Sequence, residues 1–212
     1  LELAAACPYF PEGTIFVAVV DPGVGSGRRG IAAEGGGFRF VAPDNGLLTL
    51  AVRDLAPATV VELTAAQYAR PRVSRTFEAR DRFAPAAGWL ATGVPLSVLG
   101  PRVHDPIELA IPAAVVSAEG LRGEVLKVDR FGNLVTSIDR GAFGRFAGGG
   151  PVRIAVGAGE VAPLVDTYAD ARARELCALI GSSGRLEIAV SGGSAADRLG
   201  LARGAPVVVS RG

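Results

Sequence analysis

Asp21 ends an apolar, largely β-branched run, Thr14-Ile15-Phe16-Val17-Ala18-Val19-Val20, and opens the loop Pro22-Gly23-Val24-Gly25-Ser26-Gly27, which Arg28 and Arg29 close. The run reads as a buried strand, and the proline and glycines after it force a tight, irregular loop. A carboxylate at the carboxyl end of a strand, followed by a glycine loop, stands where open α/β sheets place their chemistry. The loop can fold back so that Arg28 faces Asp21. The same residues would also make a plain glycine-rich turn with a surface ion pair.

Three further stretches carry chemistry-bearing residue types. Arg75-Thr76-Phe77-Glu78-Ala79-Arg80-Asp81-Arg82-Phe83-Ala84-Pro85 is a dense charge cluster ahead of a helix; Asp81 capping that helix, with surface ion pairs around it, would account for it. Asp129-Arg130-Phe131-Gly132-Asn133-Leu134 sets a flat ring and a donor–acceptor amide beside a glycine that permits close approach. A nucleobase needs that combination of stacking and edge hydrogen bonds; a β-turn with Phe131 in the core is the alternative. Gly181-Ser182-Ser183-Gly184, backed by Leu186-Glu187-Ile188-Ala189-Val190, offers two hydroxyls and backbone N–H groups that can hold a carboxylate, or else forms a hairpin loop.

The elements that position these residues follow from periodicity and turn signals. Residues 1–7 read as the tail of a helix ended by Pro8. Residues 31–34 and 38–41 form a hairpin around Gly35-Gly36-Gly37. Pro43-Asp44-Asn45-Gly46 is a turn, with Asp44 or Asn45 capping a helix over 47–55. A strand over 59–63 and a helix over 83–91 follow, and this alternation predicts a mostly parallel α/β sheet. Residues 102–118 are proline-rich and read as a linker. From 119 on, short strands with glycine turns predominate (123–129, 134–138, 152–156, 161–165, 176–180, 186–190 and 206–209), with one helix at 195–199, as in a small barrel or sandwich. The expected organisation is an α/β domain over 1–101, the linker, and an all-β barrel over 119–212.

Composition excludes several classes. The chain has 212 residues, 49% hydrophobic, enough for a sizeable core, and a formal charge of +1 that provides no basic field for nucleic acid. No apolar run reaches the roughly 18 residues of a membrane span. Cys7 and Cys177 lie far apart and read as reduced core thiols of a cytoplasmic protein. His104 is the single histidine, in the proline-rich stretch, and no G-x-S-x-G elbow exists for a serine triad. No Cys/His spacing suits zinc, so no metal is expected, and neither a phosphate-binding G-x-x-x-x-G-K-[ST] loop nor a G-x-G-x-x-G fingerprint is present.

Taken in order, Val19-Val20-Asp21-Pro22-Gly23-Val24-Gly25 with Arg28-Arg29, Pro43-Asp44-Asn45-Gly46, Thr76-Phe77 with Arg80-Asp81 and Phe83-Ala84-Pro85, Asp129 to Leu134, and Gly181 to Gly184 resemble the S-adenosyl-L-methionine hydroxide adenosyltransferases, hydrolytic relatives of the halogenating adenosyltransferases. The resemblance covers essentially the whole chain. It implies an α/β domain joined to a β-barrel, and a homotrimer with its site at the subunit interface. It also implies a reaction without added cofactor in which water displaces methionine from ribose C5′ of S-adenosylmethionine, giving adenosine. Asp21 matches the water-activating acid and Arg28 its partner. Phe77, Phe131 and Asn133 match residues lining the nucleoside site. Asp129 and Ser182 match positions holding the methionine amino and carboxylate groups, with Ser183 and Glu187 as neighbours, and Val190 lies on the strand that approaches the adenine edge.

Two departures stand out. Glu78 occupies the position where the family usually has a histidine, and Ala79 replaces the following glycine; a carboxylate there could orient water, pair with Arg28, act as the base, or mark an impaired S-adenosylmethionine-binding protein. The family also opens with a strand bearing Thr-Asp-Phe-Gly, whose acid grips the ribose. This sequence lacks it and starts without methionine, so it reads as a fragment. A halide-dependent adenosyltransferase is the close alternative, but a carboxylate at the attack site repels an anion, and Asp21 favours water. Residues 193–204 superficially resemble the end of a PDZ module without its carboxylate-binding loop; a helix and turn in the barrel is the simpler reading.

Overall fold

Gly36 and Gly37, both at positive φ, let the chain reverse within two residues, a turn that suits the twist of paired strands. The strands on either side, β2 (Gly30–Gly35) and β3 (Phe38–Pro43), therefore pair antiparallel. A computed structural model describes residues 1–53, 58–157 and 159–212, and these form two compact units, Leu1–Ala110 and Ile111–Gly212.

In the first unit, α1 (Glu2–Ala6) precedes the short strand β1 (Ile15–Val17), which pairs parallel with β3. After the hairpin come α2 (Thr49–Arg53) and β4 (Thr59–Glu62), the latter antiparallel to β2. The order β1-β3-β2-β4 makes a mixed sheet. The expectation of a mostly parallel sheet is corrected here: the glycine hairpin fixes one antiparallel pair, and β4 returns against β2 to make a second. The strand expected over 14–20 is also shorter and less buried. Ile15 and Phe16 are half-buried and Val17 is exposed. The predicted helix over 47–55 is described as far as Arg53; residues 54 and 55 lie outside the described part.

Side chains alternate across the sheet, as strand geometry requires. Ala32, Val41 and Val61 pack with Phe83, Leu90 and Leu99 on the face of α3 (Ala84–Ala91). Ile31, Ala33, Phe40, Ala42 and Val60 pack with Cys7, Leu48 and Ala51 on the other. Both faces are thus covered by apolar side chains, an arrangement worth about 1.5–3 kcal/mol for each large side chain buried. In the proline-rich stretch, Val103 is buried and its N–H donates to the Val60 carbonyl (2.8 Å), while the Ile107 and Leu109 N–H groups bond Asp44 and Thr49.

The second unit is a nearly closed, antiparallel barrel-like sheet. Its strands are β5 (Val115–Ser117), β6 (Gly120–Val128), β7 (Leu134–Asp139), β8 (Val152–Val156), β9 (Glu160–Ala162), β10 (Leu176–Ile180), β11 (Arg185–Val190) and β12 (Pro206–Arg211). The order is β10-β11-β7-β6-β12-β8-β9, with β5 added on β6. A bridge between Leu164 and Ala178 draws the two ends together. The near-closure leaves little open edge and encloses a core that includes Val125, Leu134, Ile138, Ile154, Leu186, Ile188 and Val209. Helix α4 (Arg140–Ala147) was not expected from the sequence; Asp139 caps it by accepting from the Ala142 N–H (2.7 Å), and Gly148 ends it in the left-handed conformation. Helix α5 (Ala195–Leu199), capped by Ser194, lies where the sequence placed it.

Candidate active site

The loop after β1 folds back through two successive turns. The Val24 N–H donates to the Asp21 carbonyl (3.2 Å) and the Ser26 N–H to that of Gly23 (3.1 Å). Gly25 is required at the crest. Its φ is +80°, and a Cβ there would lie 2.8 Å from the Arg75 carbonyl oxygen. Arg75 in turn donates from Nη2 to the Gly25 carbonyl (2.8 Å), tying this loop to the charge cluster.

This fold-back brings Arg28 to Asp21. Arg28 Nε donates to Asp21 Oδ1 (2.9 Å), and Nη2 bonds both Asp21 Oδ2 and Glu78 Oε2. The guanidinium lies over the Phe83 ring, 5.3 Å from its centroid. The Asp21 and Arg28 side chains are more than nine-tenths buried, and Glu78 is 17% exposed. Glu78 directly precedes a π-helical turn, Ala79–Phe83, that runs into α3; such turns recur at functional sites. Arg82, from that turn, places Nε 3.4 Å from Glu78 Oε1. Two carboxylates and two guanidiniums therefore meet at the loop that follows β1. Each carboxylate oxygen has two lone pairs, so acceptor capacity remains for a water beside the bonds to Arg28.

Asp81, expected to cap the following helix, does something else. It is buried, accepts from the Ser74 N–H (2.9 Å), and is gripped by Arg80 through Nε (2.7 Å) and Nη2 (2.9 Å). Arg80, then the Ser74 bond, hold its carboxyl well below the usual carboxylate range. Asp81 is thus the staple of the 70–81 loop. Phe77 is exposed, with the Arg80 guanidinium 5.0 Å from its ring centroid.

In the second unit, Asp129 organises the loop between β6 and β7. Its Oδ1 accepts from the N–H groups of Phe131 (2.8 Å) and Asn133 (2.9 Å), and Oδ2 accepts from Asn133 Nδ2 (2.9 Å). Gly132 lies so close to α5 that a Cβ would fall 2.1 Å from Ser194 Oγ. Asn133 is buried, whereas Phe131 is 73% exposed, so the alternative with this ring in the core does not hold. A rigid loop thus presents a flat aromatic face beside an oriented amide.

The Gly181–Gly184 segment is the β10–β11 turn, with the Gly184 N–H donating to the Gly181 carbonyl (3.0 Å). Ser182 is exposed and Ser183 half-buried. Ser183 Oγ is 3.5 Å from Oε1 of the buried Glu187, whose Oε2 accepts from Tyr168 Oη (2.8 Å). Burial first, then Glu187, push the Tyr168 hydroxyl above its ordinary range, and the Asp129 carboxylate adds to this. Val190 is buried at the end of β11, where its carbonyl accepts from the Gly193 N–H (3.0 Å).

The geometry thus gathers Asp21, Arg28 and Glu78 in the first unit. In the second it links Asp129 to Asn133, and Glu187 to Ser183. Sequence reasoning missed Arg82 and Tyr168. Arg82 stood inside the charge cluster, four residues after Glu78, a spacing that faces side chains together on a helix. Tyr168 carries no motif. Among the described residues, no group of three or more His, Cys, Asp or Glu is placed to hold a metal ion.

Comparisons with known proteins agree across both units. Residues 1–100 match the SAM hydroxide adenosyltransferase N-terminal domain, and residues 123–208 match the C-terminal domain of the same family. An (R)-S-adenosyl-L-methionine hydrolase from Thermus thermophilus is 42% identical over 213 residues, covering 97% of this chain and 79% of the relative. A fluorinase from Actinopolyspora mzabensis is 30% identical, covering 96% of this chain and 79% of the relative. The crystal structure of an uncharacterized conserved protein from Thermotoga maritima superposes with a TM-score of 0.89 at 35% identity, over 98% of this chain and 81% of that one.

Proposed function

The chain belongs to the SAM hydroxide adenosyltransferase family and is an S-adenosyl-L-methionine hydrolase, and we propose that Asp21, Arg28 and Glu78 carry its reaction, which yields adenosine and L-methionine. The observation that supports this reading is the Arg28 guanidinium bonded to both carboxylates in the loop that follows β1. Asp21 orients the attacking water through a free lone pair. A C5′–O bond forms as the C5′–S bond breaks, its electron pair passes to the sulfonium, and methionine leaves neutral at sulfur. The water proton passes to a carboxylate and on to solvent. A sulfonium needs no acid to leave, so general-base help to the nucleophile is the demand on the protein. The same chemistry requires no cofactor. Glu78, at the position where the resemblance usually implies a histidine, serves as the second acceptor for the water, with Arg28 and Arg82 balancing its charge.

Substrate recognition falls to the second unit and to Phe77. Phe131 and Phe77 supply aromatic faces for the nucleoside, Asn133 its edge bonds, and β11 at Val190 the approach to adenine. Asp129 and Glu187 suit the methionine ammonium, Ser182 and Ser183 its carboxylate. We read the protein as a cytoplasmic homotrimer in which the site is completed at the subunit interface; light scattering showing a monomer at micromolar concentration would contradict this. The fluorinase relative keeps a halide reading in view, but Asp21 places a negative oxygen where an anion would have to attack. Incubation with S-adenosylmethionine, with and without chloride, followed by chromatography separates the two. Adenosine and methionine in both samples support hydrolysis, and a 5′-chloro-nucleoside would contradict it.

A further inference from the structure

Asp44 is among the most buried charged groups of the first unit, 1% exposed, yet it lies outside the cluster at Asp21. It sits in the Pro43-Asp44-Asn45-Gly46 turn, and its carboxylate accepts from Arg29 Nε (2.7 Å) and the Ile107 N–H (2.8 Å). Its own N–H donates to the Arg29 carbonyl (2.9 Å). That carbonyl also accepts from Arg28 Nη1 (3.2 Å). One residue on, Asn45 donates from Nδ2 to the Val20 carbonyl (2.8 Å), while its Oδ1 accepts from the Leu47 N–H (3.1 Å). The turn therefore grips the 21–28 loop at both ends, at Val20 immediately before Asp21 and at Arg29 immediately after Arg28.

We propose that Asp44 and Asn45 are positioning residues that set the separation and orientation of Asp21 and Arg28. The proposal rests on the hydrolase reading above. The loop between the two clamped ends holds three glycines, Gly23, Gly25 and Gly27, and has little stiffness of its own. A backbone held only by such a loop would let the Arg28 fork slide off the Asp21 carboxylate, and near-attack geometry tolerates little displacement. Asp44 supplies the restraint from a rigid strand end. It fixes the Arg29 peptide through both backbone and side chain, and the Arg29 carbonyl then fixes the third nitrogen of the Arg28 fork. Arg29 extends to Asp105 at its exposed end, through Nη1 to Oδ1 and Nη2 to the carbonyl, both at 2.8 Å.

The test counts turnover per competent site. Asp44→Asn and Asn45→Ala are assayed for methionine release, and adenosine-binding stoichiometry is measured by calorimetry on the same samples. Misplacement of this kind should lower kcat per adenosine-binding site by about 10- to 100-fold while KM stays within about twofold. In 15N NMR the Arg28 Nε–H signal should move in both variants. A merely structural role would cut the number of binding sites and leave kcat per site and the Arg28 signal of the remaining sites unchanged; that result overturns the proposal. Asn45→Ala keeps the test alive if Asp44→Asn does not fold. Absence of methionine release from the unmodified protein would overturn the hydrolase reading and this inference together, whereas an active parent with equally active sites in both variants would overturn this inference alone.

Discussion

Arg28 and Glu78, fifty positions apart in the chain, are bonded through Nη2 and Oε2, with the same nitrogen also on Asp21. Glu78, at the position where the sequence resemblance leads one to expect a histidine, thus reaches this arginine with a negative charge. A carboxylate is drawn to the guanidinium and pairs with it directly. The site thus sets two acids against two guanidiniums, Arg82 supplying the second.

Glu78 should therefore contribute to turnover. Glu78→Gln keeps shape and one acceptor oxygen but removes the charge, and kcat should fall by roughly 10²-fold or more, the lower range of acid–base contributions. Glu78→His should retain or raise the rate. Steady-state kinetics check both. A rate unchanged in Glu78→Gln would make Glu78 a bystander and leave the chemistry to Asp21 and Arg28.

The nucleoside platform is tested by Phe131 and Asn133. Phe131→Ala should weaken adenosine binding by about 1–3 kcal/mol through lost stacking. Asn133→Ala should cost about 1–3 kcal/mol by leaving a buried partner unsatisfied. Calorimetric titration reads both. Unchanged affinity in either variant removes that residue from the site.

Much of this was legible beforehand because it rests on local rules. The glycine hairpin and most barrel strands follow from periodicity and turn residues, whereas the strand expected up to Val20 stops at Val17; of the two readings the glycine loop left open, the structure forms the fold-back of Arg28 onto Asp21. The mixed sheet was not legible, since the direction in which β4 returns to β2 is a tertiary choice. Helix α4 was hidden by Gly141 and Gly144, which weaken helix propensity, although Asp139 and Gly148 are a readable cap and stop. Of the two candidate caps, Asn45 makes the local bond, accepting from the Leu47 N–H, while Asp44 is turned elsewhere, its partners Arg29 and the Ile107 N–H lying 15 and 63 residues away. Asp81 misled in the same manner: its carboxylate is consumed by its own loop, at Ser74 and Arg80, instead of the helix that follows.

Asp81 also predicts a pH dependence. Its folded carboxyl is held below the usual range by Arg80 and the Ser74 N–H, so the stability it contributes is fully present above the unfolded-state value of about 3.9 and is lost as pH falls through the lower folded value. Denaturant unfolding of the parent and Asp81→Asn should show the parent ahead near neutral pH, with the gap closing in the acid range below about pH 4. A gap equally wide at the acid end would show that the ionised carboxyl is not what holds the loop.

Methionine release from S-adenosylmethionine by Asp21→Asn, compared with the parent at matched substrate affinity, tests the central claim most directly. The substitution preserves the shape of the side chain and removes the charge that orients water, so the loss falls on the transition state. The account predicts turnover reduced by roughly 10²- to 10⁴-fold, with S-adenosylmethionine affinity nearly intact by calorimetry. Parent-like turnover in Asp21→Asn would contradict it.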